Sequence, residues 1–142
     1  MTRTQRIELS PERVVPLSQF CRVHAGCATA TAYELRDHLV DSESGAGARM
    51  VSTGALDRYP MHWGRRQRFL GKDYTYPRWP DGPSVPASVS RARERQAGPK
   101  ILVGGLTRVL ESWLDTTGDA AGIVSTWVIR PRGEDSDWLS AI

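Results

Sequence analysis

Two sets of side chains in this 142-residue chain have the types and spacing to do chemistry. The first is Cys21-x2-His24-x2-Cys27, three potential metal ligands in seven residues, with His38 and His62 able to supply a fourth. Structural zinc sites more often combine two CxxC pairs, and no second pair is present, so the favoured reading is two small buried cysteines. The second set is cationic. From Arg58 to Arg108 there are eleven basic residues against three acids, Asp73, Asp81 and Glu94, whereas the rest of the chain holds eight basic and thirteen acidic residues. A middle third this basic, flanked by acidic segments, is the footprint of a face that binds a polyanion.

The basic residues are 17 arginines and two lysines, and the chain has no asparagine. GC-rich coding accounts for the larger share of that bias. The consequence is still chemical, because a planar guanidinium matches phosphate and guanine edges bidentately. Arg58, Arg65, Arg66, Lys72 and Arg78 are expected to contact phosphates and set register. Arg68, Gln67, Arg93, Arg95 and Gln96 are the candidates for reading base edges, since Arg pairs with guanine and Gln with adenine. Arg91 and Lys100 complete the set. Tyr59, Trp63, Phe69, Tyr74, Tyr76 and Trp79 are interleaved with this charge and suit either stacking on bases or packing in a core. For Trp63 and Trp113 packing is the expectation.

Most catalytic signatures are missing. There is no P-loop, no Gly-x-Ser-x-Gly elbow and no Glu/Asp-x-Lys triplet. Gly104-Gly105 lacks the further glycine and acidic residue of a dinucleotide fingerprint, and without asparagine or a Pro-Pro pair no adenine-methyltransferase tetrapeptide exists. A small hydrolase or nuclease using Cys21, His24 and Asp37 is the weakest reading. The composition, 39% hydrophobic and 25% charged, is that of one ordinary globular domain spanning 1–142. No apolar stretch is long enough to cross a bilayer. The N-terminus does not read as a signal peptide, and two cysteines suit a reducing compartment, so a cytoplasmic location is expected.

The elements that must position these residues read unevenly. Arg6–Leu9 suggests a short strand, Gly26–Ala32 a turn, Tyr33–Val40 either strand or helix, and 42–48 a flexible break before a strand at Met50–Thr53. Tyr76–Pro99 carries five prolines and two glycines, which predicts a long irregular loop through which neither helix nor central strand runs. Arg91, Arg93 and Arg95 share a face there only if the segment is extended. Lys100–Val103 and Gly122–Ile129 are predicted strands. The spacing of Leu106, Val109, Leu110, Trp113 and Leu114 predicts a helix, and Asp135–Ile142 looks like the start of another.

Several of these segments together resemble a known family. Gly54–Tyr59, Trp63-Gly64, Arg68–Tyr74 and Pro77-Arg78, followed by Pro99–Val103, Leu110–Asp115 and Ser125–Ile129, are similar to a target-recognition domain. That domain follows the catalytic domain in TaqI-like adenine-N6 DNA methyltransferases, including those of fused restriction–modification and phage-defence systems. The likeness covers most of residues 14–142 and is most specific over Lys100–Ile129. It implies an α+β, strand-rich DNA-recognition domain with no cofactor of its own. S-adenosylmethionine would be held by a catalytic partner domain or subunit, and double-stranded DNA would be the target. It also implies strand where periodicity predicts helix at 106–114. The family continues into a C-terminal helix inside which Trp138–Ile142 stops, so the chain is expected to be a truncated recognition half. The alternative from another class is a non-catalytic protein-interaction remnant that touches nucleic acid only non-specifically.

Overall fold

Short strands joined by glycine- and proline-rich turns build most of the chain, and two eight-residue helices pack together on one side. The computed structural model describes residues 10, 12 and 14–133. In chain order the elements are β1 (Cys21–Ala25), α1 (Thr29–Arg36), β2 (Val40–Asp41), β3 (Ala48–Val51), β4 (Gln67–Phe69), β5 (Lys72–Tyr74), β6 (Pro77–Trp79), α2 (Ala87–Glu94), β7 (Lys100–Gly104), β8 (Ser112–Asp115), β9 (Ala120–Gly122) and β10 (Thr126–Pro131). They form two four-stranded sheets, ordered β1-β10-β7-β8 and β2-β6-β3-β9, and a separate β4-β5 hairpin. All pairings are antiparallel except β3 with β9. The fold is α+β.

The β2-β6-β3-β9 sheet separates two cores. Strand alternation sends Ala48 and Met50 of β3 to one side, where they meet Trp79, Ala121 and the helix residues Ala32, Leu35, Val89 and Ala92. Val51 and Ala120 join Leu102 and Val128 of the other sheet on the opposite side. Strand β9 is buried on both faces, which is why its three residues are Ala, Ala and Gly. A Cβ on Gly26 would lie 2.2 Å from the Gly122 oxygen, so bare backbone is required where the end of β1 meets β9. Gln96 fastens that junction. Its amide nitrogen donates to the carbonyls of Gly26 (2.6 Å) and Gly122 (3.0 Å), and its oxygen accepts from Gly122 N–H at 2.8 Å.

Several expectations need correction. Tyr76–Pro99 is not one irregular loop, because four of its five prolines sit at element boundaries and the fifth, Pro83, lies in the turn between β6 and α2. Pro77 opens β6, Pro80 follows it, Pro86 caps α2, and Pro99 precedes β7. A proline at a first position costs no ladder or helix hydrogen bond that matters. Arg91 and Arg95 therefore share one face, four residues apart along and just past a helix, while Arg93 turns away from them. The helix expected over 106–114 is absent: a turn leads into β8, paired with β7. Leu106 and Leu110 stay 86% and 74% exposed, so the stripe that suggested a helix buries little, and strand pairing prevails. Gly122–Ile129 is two strands, since a turn closed by Thr126 N–H on the Ile123 carbonyl moves the chain from one sheet to the other. Helix α1 begins at Thr29, inside the segment expected to be a turn, and takes up part of Tyr33–Val40. Lys100–Val103 is strand as expected. Arg6–Leu9 and Asp135–Ile142 lie outside the described residues.

Candidate nucleic-acid interface

Alternation along β4 divides its residues between two environments: Gln67 and Phe69 turn inward, and Arg68 turns to solvent. Strand β5 returns antiparallel, pairing Gln67 with Tyr74, Arg68 with Asp73 and Phe69 with Lys72. The two-residue tip, Leu70-Gly71, has φ of 45° and 85°. Two positive φ values are the signature of a type I′ turn, whose twist matches a hairpin. Leucine is an unusual occupant of the first position, and it is held there by packing against the helix-side core. Arg65 and Arg66 on the approach, Arg68 on the outward face of β4 and Lys72 at the turn end of β5, opposite Phe69, are all exposed. Asp73 answers Arg66 and Arg68, and Asp57 lies within range of the Arg65 charge. Asp73 lies 2.6 Å from Arg66 and 3.8 Å from Arg68. The Arg66 hydrogen bond holds the Asp73 carboxyl below the usual carboxylate range.

A second cationic group belongs to α2. Arg91 and Arg95 are exposed and border a concavity with Ala28, Thr31, Ser88 and Glu94 beside the first turn of α1. Arg93 is half-buried. Val124 connects this group to the hairpin, because it lines the cleft beside β4 and its backbone hydrogen-bonds Cys27 within reach of the Arg95 charge. Arg58 stands apart on the loop next to Tyr59, which is 82% exposed.

Three expected contact residues, Gln67, Gln96 and Lys100, are internal, and a fourth, Arg78, is half-buried with its guanidinium engaged. Gln67 is 2% exposed and accepts hydrogen bonds from Ser52 N–H (3.2 Å) and Ser52 Oγ (2.8 Å). Gln96 closes the junction described above. Lys100 is fully buried, donating to Asp115 at 2.7 Å, and burial lowers its pKa despite that partner. Arg78 donates to the carbonyls of Ser42 (2.8 Å), Gly47 (3.1 Å) and Glu43, with its guanidinium 4.9 Å over Trp63. It pins the 42–47 segment to β6 and has little left for phosphate. Residue type alone does not report burial.

Of the interleaved aromatics, Phe69, Tyr74 and Trp79 are core, and Trp63 packs edge-on against Tyr76. Trp113 packs against the sheet–sheet core, under the Arg49 guanidinium. Cys21 and Cys27 are both buried, with burial pushing the Cys27 thiol up to about 11. Cys21 and His24 point to opposite faces of β1, and among the described residues no three metal-ligating side chains gather. Among those residues, too, no helix is long and apolar enough to cross a membrane.

Sequence reasoning missed the neighbours of the hairpin. A cleft of about 430 Å³ runs along β4, bounded by Ser52–Gly54 and by Ile123–Ser125. Only the Arg-Gln-Arg-Phe alternation hinted that Gln67 faces inward. It also missed an apolar surface. Ile101, Val103, Ile129 and Pro131 line a concavity of about 790 Å³ on the outer face of the β1-β10-β7-β8 sheet, with Leu17, Phe20 and Leu110 at its rim. No family model matches the sequence, and no curated protein is significantly similar to it.

Proposed function

We propose that this protein binds double-stranded DNA through the β4-β5 hairpin and reads sequence there, as the specificity part of an adenine-N6 DNA methyltransferase or restriction–modification system. The observation that carries the reading is the hairpin and its approach: Arg68 and Lys72 exposed on the two-stranded ribbon, Arg65 and Arg66 exposed on the segment leading into it, and Asp73 among them. A two-stranded ribbon fits the major groove, and its outward side chains reach phosphates and base edges. Arg65, Arg66 and Lys72 hold the backbone, and Arg68, at the centre of β4, is the base reader. Arg91 and Arg95 extend the cationic flank. Gln67, Gln96, Lys100 and Arg78 are removed from the contact set.

The test is binding as a function of salt. Each phosphate contact contributes a slope of about −0.9 in log K against log salt. Arg65→Ala with Arg66→Ala should weaken every duplex alike and flatten the slope by roughly 2. Arg68→Ala should instead relax preference at one base position, at a cost of about 1–3 kcal/mol. An unchanged slope in the first variant counts against the assignment.

The apolar outer sheet face favours a second role beside the first, docking onto a partner protein. The catalytic subunit, which supplies the S-adenosylmethionine site, is the partner this reading requires. Competition with scrambled duplexes separates a sequence reader, with a preference of about 10³-fold or more, from a protein-interaction module with only non-specific affinity.

A further inference from the structure

Helix α1 starts without a cap. Its N-cap position is Ala28, extended at φ −72° and ψ 155°, with no side-chain hydrogen bond to the first turn and no acid within it. The helix ladder opens with Ala32 N–H donating to the Ala28 carbonyl. The N–H groups of Thr29, Ala30 and Thr31 therefore find no acceptor among the described residues. Ala28, Thr29 and Ala30 are exposed, so this end of the helix lies at the surface, where it carries about half a positive charge.

Water can serve such donors, and it is the surroundings that point to a ligand. Thr31 lines a concavity of about 620 Å³ at this end of α1 and is only 9% exposed. A helical threonine can return its hydroxyl to the carbonyl one turn back, but the Thr31 hydroxyl bonds no described residue. Helix α2 packs alongside and brings Arg91 and Arg95, one turn apart, to the rim. Both are exposed, and among the described residues neither is ion-paired. The Arg95 charge reaches Cys27, next to the cap position. Glu94 also borders the concavity, and Ser88 spends its hydroxyl on Glu34. No large apolar side chain lines it, which suits a small tetrahedral anion better than a ring.

We propose that this concavity binds one phosphate group, its oxygens accepting from the α1 N–H groups and the Thr31 hydroxyl, with Arg91 and Arg95 flanking it. A phosphodiester of a bound duplex and free phosphate present the same oxygens. The inference rests on the DNA-binding reading only for the first source, to which it adds a phosphate clamp apart from the β4-β5 hairpin.

Inorganic phosphate titrated into the full chain at fixed ionic strength should shift the ¹⁵N-amide signals of Thr29, Ala30 and Thr31, and sodium chloride should not. Ala28→Asp supplies the missing cap, a carboxylate that bonds the same N–H groups and repels an incoming anion. That variant should melt at a higher temperature and bind phosphate at least about tenfold more weakly. Thr31→Val removes a hydroxyl that has no partner to lose, so it should keep its melting temperature and bind about threefold more weakly, and Thr31→Ser should restore binding. With a duplex, Thr31→Val should weaken every sequence alike, and Ala28→Asp should flatten the salt slope by about 1.

Absence of any amide shift with phosphate overturns the proposal, and so does undiminished phosphate affinity in folded Ala28→Asp. Phosphate binding that Ala28→Asp abolishes, beside duplex affinity that neither variant alters, supports a free-phosphate site and rejects the duplex as its source. The same phosphate result with no duplex binding rejects the DNA reading and leaves the concavity assigned. Salt-dependent duplex binding without a phosphate response does the reverse.

Discussion

At the scale of single residues, burial decides what a charged or amide side chain can do. Lys100 and Asp115 illustrate this, since both are fully buried and joined at 2.7 Å. Asp115 also accepts from Gly118 N–H (2.9 Å) and Ala120 N–H (3.1 Å), so it organises the turn that leads into β9. Asp115→Asn strands the lysine charge and should cost about 3–5 kcal/mol, whereas Lys100→Met with Asp115→Asn, which removes the charge and keeps an acceptor for the turn, should recover much of the loss. Urea midpoints of the three proteins check this. Asp73 behaves differently because it is exposed. Its lowered pKa means that its contribution is present above the ordinary carboxylate range and is lost as pH falls through the lowered value. Arg66→Ala should raise that pKa in a carboxyl NMR titration. Asp73→Asn frees Arg66 and Arg68, and should strengthen duplex binding and steepen the salt slope by about 1.

The hairpin is the element on which the functional reading turns, and its tip is its weakest point. Gly71 has φ of 85° and open space where a Cβ would go, so Gly71→Ala tests conformation alone. A left-handed alanine costs about 1–2 kcal/mol. Because the strands have three residues each, that cost should appear as faster amide exchange at Phe69 and Lys72, the hydrogen-bonded pair beside the turn, and as weaker DNA binding. The sheet–sheet core, to which the hairpin contributes no side chain, should keep its protection. Equal loss of protection throughout the chain would mean that the hairpin is not a separable element.

For the molecule as a whole, the outer sheet face is the feature a solitary domain does not need. Sheets bury at least one face, and this one already does so on Leu102 and Val128. Phe20 and Leu110 are 62% and 74% exposed at its rim. Phe20→Ser with Leu110→Ser should change stability by no more than about 0.5 kcal/mol per site, because neither side chain is in a core. The same variant should bind less of a hydrophobic dye and lose affinity for a catalytic partner. Unaltered partner binding would place the docking surface elsewhere.

The α+β class came with the family resemblance, whereas local pattern alone was enough for strand at Met50-Val51 and Lys100–Val103, the packing of Trp63 and Trp113, and a cationic middle third. Those follow from alternation, turn residues and charge, which act between near neighbours. The helix α2 between Pro86 and Gly98, the strand β8, and the break between β9 and β10 were decided by tertiary structure. There a short element gains enough from pairing or packing to override what its own residues prefer. The same holds for the candidate site. Arg65, Arg66, Arg68 and Lys72 were legible because surface charge is a property of sequence. That Gln67, Gln96, Lys100 and Arg78 are spent internally was not legible, since the carbonyls and carboxylate they satisfy arrive from residues up to 70 positions away.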